Sequence, residues 1–319
     1  MKNVGFLLIL LFVFNACKEN NQIESEISKV DIDFRVERFD LDFANAKSED
    51  LPELKKAYPF LFSERINDSI WIERINDSLQ QELSNEVKRT FSNFDDVYEE
   101  IESLFQHLKY YDKTFKVPRV ITVTSDVDYR NKTIVTDTIV LISLDTYLGS
   151  DHHFYEGIQR FLTLNMKRSQ IVSDLAANYS EGYIFQNKPK TLLDDMIYFG
   201  KQLYFKDKMI PFKSDAEKIG YSEEQIEWAK ANESEIWRYF IERELLFSTD
   251  NSLAGRFIAD APFSKFYLEL DSESPDKIGQ YLGWEIVRSY MKNNDVPFLE
   301  MLRMDADEIF NKSKFKPRK

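Results

Sequence analysis

Asp194 and Asp195 stand side by side in TLLDDMIYFGKQLYF, Thr191 to Phe205, within otherwise apolar sequence. Adjacent carboxylates could work as acid and base or ligate a divalent cation, so metal-assisted hydrolysis is the first chemistry to test. A zinc-hydrolase helix needs two histidines at i and i+4 with a glutamate between them as base. The chain has three histidines. His152 and His153 are adjacent, so they diverge by about 100° on a helix or take opposite faces of a strand. His107 stands alone at the end of a helical segment. These residues do not predict a zinc site, and the expected metal and cofactor complement is none.

Other routes to catalysis are no better supplied. The sequence has no Gly-x-Ser-x-Gly elbow and no glycine-rich phosphate loop. Glu242, Glu244 and Asp260 could join in a glycosidase-type carboxylate pair, but 55 acidic residues make any such choice arbitrary. No catalytic residue is assigned.

The two aspartates have a structural explanation. Thr191 to Asp194 fits the helix-start pattern [ST]-x-x-[DE], with Pro189 just before it. Asp195 then falls in the first turn, where the helix dipole favours a carboxylate. Leu192, Met196, Phe199 and Leu203 form one stripe, and Leu193, Ile197, Gly200 and Tyr204 the next. So wide an apolar face predicts a deeply packed helix.

Around this helix the sequence predicts an α+β fold in one domain, residues 30–319, with a small sheet in the N-terminal half and a mainly helical half after it. Val30 to Asp40 alternates like a strand, and Val117 to Asp145 is rich in Val, Ile and Thr and reads as two or three strands. Helices are expected over Asn93 to His107, Ile171 to Gln186, Leu192 to Asp207, Ser222 to Phe247 and Asp276 to Lys292. The near repeat ERINDSI and ERINDSL, at Glu64 and Glu73, predicts one continuous helix whose copies face opposite sides. Trp228, Trp237, Tyr239 and Trp284 could line a peptide or glycan cleft, but aromatics at helical spacing more often form core.

The amino terminus carries an export signal. Met1-Lys2 precedes VGFLLILLFVFNA, a run suited to a signal-peptide core and too short to span a bilayer. It ends at Ala16-Cys17, the lipoprotein pattern, although Phe14 and Asn15 depart from the usual preceding residues. Residues 1–16 are therefore expected to be cleaved and Cys17, the only cysteine, to carry lipid, which leaves no disulfide. The expected location is the cell envelope, exposed to the periplasm or the cell surface. Lys18 to Lys29 reads as a flexible tether, so 17–29 forms a leash. A net charge of -13 argues against a nucleic-acid partner, and the basic tail Lys312 to Lys319 reads as a solvated end.

One family gathers these features. Ala16-Cys17, LDTYLGSDHHFY (Leu144 to Tyr155), LLDDMIYFGKQLYFKDKMIP (Leu192 to Pro211), IGYSEEQIEWAKANESEIWRYFI (Ile219 to Ile241), STDNSLAGRFIADAPFSKFYLELDSESP (Ser248 to Pro275) and IGQYLGWEIVRSYM (Ile278 to Met291) together resemble the GldB family of Bacteroidetes gliding motility lipoproteins. The resemblance implies an envelope lipoprotein needed for gliding, with protein partners in the gliding and type 9 secretion machinery. Asp68-Ser69-Ile70 and Asp77-Ser78-Leu79 also resemble O-glycan acceptor triplets of Bacteroidetes envelope proteins.

The family is similar in turn to zinc peptidases with the His-Glu-x-x-His motif, which implies a zincin-like fold without the metal site. In one register Asp194 to Tyr198 replaces that motif and loses both imidazoles. In another, the helix Ile171 to Ser180 stands there without a histidine, and Phe199-Gly200 occupies the Glu-Gly pair of the third ligand. The resemblance thus implies a pseudo-peptidase, not an enzyme, that has kept a cleft. An unconventional zinc peptidase using Asp194 and Asp195, and a peptide- or glycan-binding module, are the alternatives.

Overall fold

A computed structural model describes residues 22–186, 190–269 and 271–318. The expected signal peptide, the lipidation of Cys17 and Pro189 lie outside the described residues.

A four-stranded sheet organises the N-terminal half: β1 Val36–Glu37, β2 Arg119–Val123, β3 Thr133–Val135 and β4 Ile139–Ser143, in the order β1-β2-β4-β3. β1 and β4 run parallel to β2, and β3 runs antiparallel to β4. The chain leaves β2, skips one position to lay down β3 at the edge, and fills the gap on its return as β4. Alternation along the strands divides the core in two. Val120, Val140 and Ile142 face the helical body, while Ile121, Val123, Ile139 and Leu141 face a smaller cluster around Phe39, Phe43, Tyr58 and Phe62. A sheet covered on both faces accounts for its near-continuous Val and Ile content.

Several expected elements are redrawn. The strand expected over Val30 to Asp40 shrinks to β1, because Phe39 and Phe43 lie one helical turn apart and bury together on the helix Phe39–Asn45. The repeat forms two helices, Asp68–Asn76 and α1 (Ser78–Thr90). Asp77 is extended and accepts a hydrogen bond from the Gln80 amide at 2.7 Å, so it ends one helix and caps the next. Ser69 and Ser78 are exposed in the first turns of these helices.

The tether is also shorter than expected. Residues 22–27 form a helix whose Ile27 is buried, since Ile23 and Ile27 share a face. This helix docks on α2 (Asp95–Tyr111), where the Tyr110 hydroxyl donates to Glu26 at 3.1 Å and the His107 Nε2 lies 3.2 Å from Glu24.

In the helical half, α3 (Ile171–Tyr183) and α4 (Leu192–Met209) pack under the sheet, and α5 (Ile278–Asn293) crosses α4. α6 (Ala306–Ser313) covers the pair. The single helix expected over Ser222 to Phe247 is instead Glu223–Ala231 and Glu233–Glu242. Asn232 breaks it, its side-chain amide donating back to the Trp228 carbonyl at 2.8 Å.

The α4–α5 crossing requires glycine on both helices. A Cβ on Gly283 would lie 1.8 Å from the Met196 carbonyl oxygen, and one on Gly200 would lie 2.4 Å from the Gly283 backbone. Beside the crossing, Arg288 grips Asp207 through Nε at 2.7 Å and Nη2 at 2.8 Å, and also reaches Asp215 and Glu285. Its guanidinium stacks 3.6 Å from the Trp284 ring, whose indole N–H also donates to Asp207.

Candidate functional site: a cleft beside α3 and the edge strand

The opening carboxylates are occupied by the helix start. Asp194 accepts from the amides of Lys190 and Thr191 and from the Thr191 hydroxyl, each at 2.9 Å, and the Asp194 amide donates back to Thr191 Oγ1 at 3.3 Å. This reciprocal pattern satisfies the Asp194 amide, while the Leu192 and Leu193 amides donate to the Ser248 and Leu246 carbonyls at 3.1 and 2.8 Å. Asp195 is half-buried, and burial, with the Asp194 charge second, raises its carboxyl pKa. Gly200 is held by the α4–α5 crossing, and Phe199 is partly buried against the main core.

The histidines are dispersed. His107 donates from Nδ1 to the Ser103 carbonyl at 2.7 Å. His152 and His153 stack with ring centres 4.5 Å apart and face Glu86 and Glu82 of α1 at 3.2 and 3.5 Å. Among the described residues, no group of three or more His, Cys, Asp or Glu side chains is placed to hold a metal ion. Glu242 lies 3.9 Å from Arg238, and Asp260 lies 2.7 Å from Lys277.

The four aromatics fall into different settings. Trp284 is fully buried, and Trp237 packs on Phe310 and Phe315. Only Trp228 and Tyr239 line a cleft, of about 290 Å³, together with Phe266 and Leu268. The tail read as a solvated end is docked: the Arg318 amide donates to the buried Glu233 at 2.8 Å, and its Nη2 donates to Glu285 at 2.9 Å. Burial makes a partner for the Glu233 charge necessary, and Arg318 supplies it.

A larger cleft, of about 770 Å³, opens between the last turns of α3, the β3–β4 hairpin and the segment after α2. Asn178 joins α3 to the sheet edge, its side-chain amide donating to the Thr133 carbonyl at 2.8 Å and hydroxyl at 2.7 Å. The Tyr183 hydroxyl donates to Asp112 at 2.9 Å across the cleft. Between them, the Tyr179 ring packs edge-on against Phe105 and Phe115, and its hydroxyl is buried with no hydrogen-bond partner. Burial pushes this phenol well above its usual pKa, so it stays neutral and able to donate.

Towards the start of α3 the polar groups are paired. Asp174 accepts from the Tyr147 hydroxyl at 2.8 Å and forms an ion pair with Lys132. Lys206 is buried and donates to Ser173 Oγ at 3.0 Å and the Lys218 carbonyl at 2.7 Å. Its pKa is pushed down to about 8 by burial, against the opposing pull of Asp174. Within the cleft, Asp112 also accepts from the Thr114 hydroxyl at 2.6 Å. The arrangement offers hydrogen-bond donors and acceptors beside aromatic surface, which suits binding.

Compared with known proteins, residues 20–317 match the family described as gliding motility protein GldB. The chain belongs to the GldB family. This ties it to gliding motility, and the family's description names no reaction. No curated protein and no solved structure matches the chain. No helix among the described residues is long and apolar enough to cross a membrane.

The sequence reading missed the cleft of this GldB-family chain. Its elements, α3 and the strands, were expected, but Asn178, Tyr179 and Val135 meet only when α3 lies along β3. The available signal was the i, i+4 spacing of Asp174 and Asn178, a polar stripe on a mostly apolar helix.

Proposed function

We propose that this chain is an envelope lipoprotein, anchored through a lipid on Cys17, that supports the gliding and type 9 secretion machinery through protein partners without catalysing a reaction. The observation that carries the reading is the GldB-family match over residues 20–317, which begins just after the Ala16-Cys17 pair. The hydrophobic run before that pair supports export and lipidation.

The non-catalytic part draws support from the roles of the residues that a zinc peptidase would need as ligands. Asp194 caps α4, Phe199 packs an apolar ring against the main core, and α3 carries no histidine. On this reading the scaffold descends from a peptidase-like fold that has lost its metal.

The test is Cys17→Ser expressed in place of the parent chain. Expected outcomes are release from the membrane fraction and loss of colony spreading. Normal spreading by a fully soluble variant would overturn the anchored role. A stoichiometric divalent metal in the purified parent chain would overturn the non-catalytic one.

A further inference from the structure

The smaller cleft, of about 290 Å³, opens between the helix Glu233–Glu242 and residues 266–274. Its floor and walls are apolar, made by Ile236, Phe266, Leu268, Trp228 and Tyr239. The Tyr239 ring is fixed at its far end, since its hydroxyl donates to the Phe266 carbonyl at 2.7 Å and accepts from Arg256 at 3.2 Å. The opposite wall is fixed as well, with the Asp271 carboxylate accepting from the amides of Tyr267 and Leu268 at 2.8 and 3.1 Å. Along the rim, Glu235, Arg238 and Glu242 recur every three to four residues and so share one face of the helix. Arg238 pairs with Glu235 and lies 3.9 Å from Glu242, which ties the three together. Asn232 donates its amide to the Trp228 carbonyl, and its Oδ1 has no partner among the described residues.

We propose that this cleft binds one uncharged pyranose ring of a glycan, its C–H face stacked on Trp228 and its hydroxyls on the rim of Asn232, Glu235, Arg238 and Glu242. A sugar ring is amphipathic, with carbon-bound hydrogens on a face and hydroxyls around the edge. The face needs a flat apolar wall, and an indole offers the largest one a side chain can. The edge needs planar groups that meet two neighbouring hydroxyls at once, which a carboxylate does as acceptor and a guanidinium as donor. Because Glu235, Arg238 and Glu242 already hold one another, little side-chain freedom is lost when the ring arrives. Other occupants fit less well. An apolar side chain would cover the floor but take the rim out of water without replacing its hydrogen bonds. An anion would meet the carboxylates of Glu235, Glu242 and Asp271 against the single guanidinium of Arg238. A cation would find Tyr239 already served, with the Arg243 guanidinium 5.8 Å from its ring centre and Arg256 on its hydroxyl. The volume lies at the low end for small-molecule pockets, which start at about 300 Å³, and this limits the occupant to one ring. The site goes beyond the anchored, non-catalytic role and does not depend on Cys17, so the two are tested separately.

The test uses the purified full chain in detergent on an array of neutral, amino and acidic glycans with decapeptides printed alongside, the best neutral binder then being titrated by calorimetry. Polysaccharide from the parent cells and neutral polysaccharide from elsewhere form two arms of the array, and the arm that binds tells an envelope ligand from an external one. Trp228→Ala is expected to weaken binding by about tenfold or more, and Trp228→Phe to keep most of it. Glu242→Ala is expected to weaken binding by about tenfold at an unchanged melting temperature, since its side chain is 68% exposed. Replacing the hydroxyls of the bound ring by hydrogen, one at a time, is expected to cost about tenfold at two neighbouring positions. An array with no neutral glycan bound, binding confined to acidic glycans or to peptides, or unchanged affinity in Glu242→Ala overturns the proposal.

Discussion

The α4–α5 crossing and the α3–β3 cleft both bury polar groups, but they treat them differently. At the crossing, the charges of Arg288, Asp207 and Asp215 meet one another with short, directed hydrogen bonds. At the cleft, the Tyr179 hydroxyl is buried without a hydrogen-bond partner. A buried polar group that is satisfied fixes one packing, whereas an unsatisfied one leaves free energy available to whatever completes it. The comparison therefore separates the part of the molecule committed to stability from the part available for recognition.

The largest test of that division is Gly283→Ala. With its new methyl 1.8 Å from the Met196 carbonyl, α4 and α5 must separate, and a loss of about 4 kcal/mol or more is expected. Urea unfolding with a midpoint near the parent's would show that the crossing is not the rigid region. Arg288→Met comes next, at about 3 kcal/mol, because it strands two partly buried carboxylates. Adding Asp207→Asn should recover part of the loss in the same measurement.

Alkaline pH gives a third, smaller test. Lys206 and Lys201 are both pushed down to about 8 by burial, from an ordinary value of 10.5. Between those values the unfolded chain holds protons that the folded chain has released, so stability rises with pH. For Lys206 the gain between pH 8 and pH 9.5 is about 2 kcal/mol, and Lys206→Met should flatten the slope. Denaturation curves at pH 7.5 and 9.5 decide it, with a fall in stability as the contrary result. Smallest is Tyr179→Phe, expected to leave stability unchanged or raise it by about 1 kcal/mol, since no hydrogen bond within the chain is lost. A clear drop in melting temperature would mean that the hydroxyl has a structural partner, and would dissolve the contrast.

What could be read from the sequence was local. The start of α4, its apolar face and the strands between Val117 and Asp145 follow from spacing within a single element. The breaks at Asp77 and Asn232 were hidden, because each residue is compatible with a helix until its side chain turns to a backbone group nearby. Residues 22–27 looked too polar to fold, and Ile27 is buried only because α2 is there to receive it. Gly200 and Gly283 acquire meaning only as a pair from two helices, and Arg318 only beside Glu233. The cleft belongs to this second class, since its key groups come from three separate segments.

The docking of residues 22–27 also limits where the folded body can be. Four residues, 18–21, separate Cys17 from Gln22. Fully extended, that connection spans at most about 18 Å, roughly the length of a short strand. With a lipid on Cys17, the helix 22–27 stays within that radius of the bilayer surface. The body would then pivot close above the membrane.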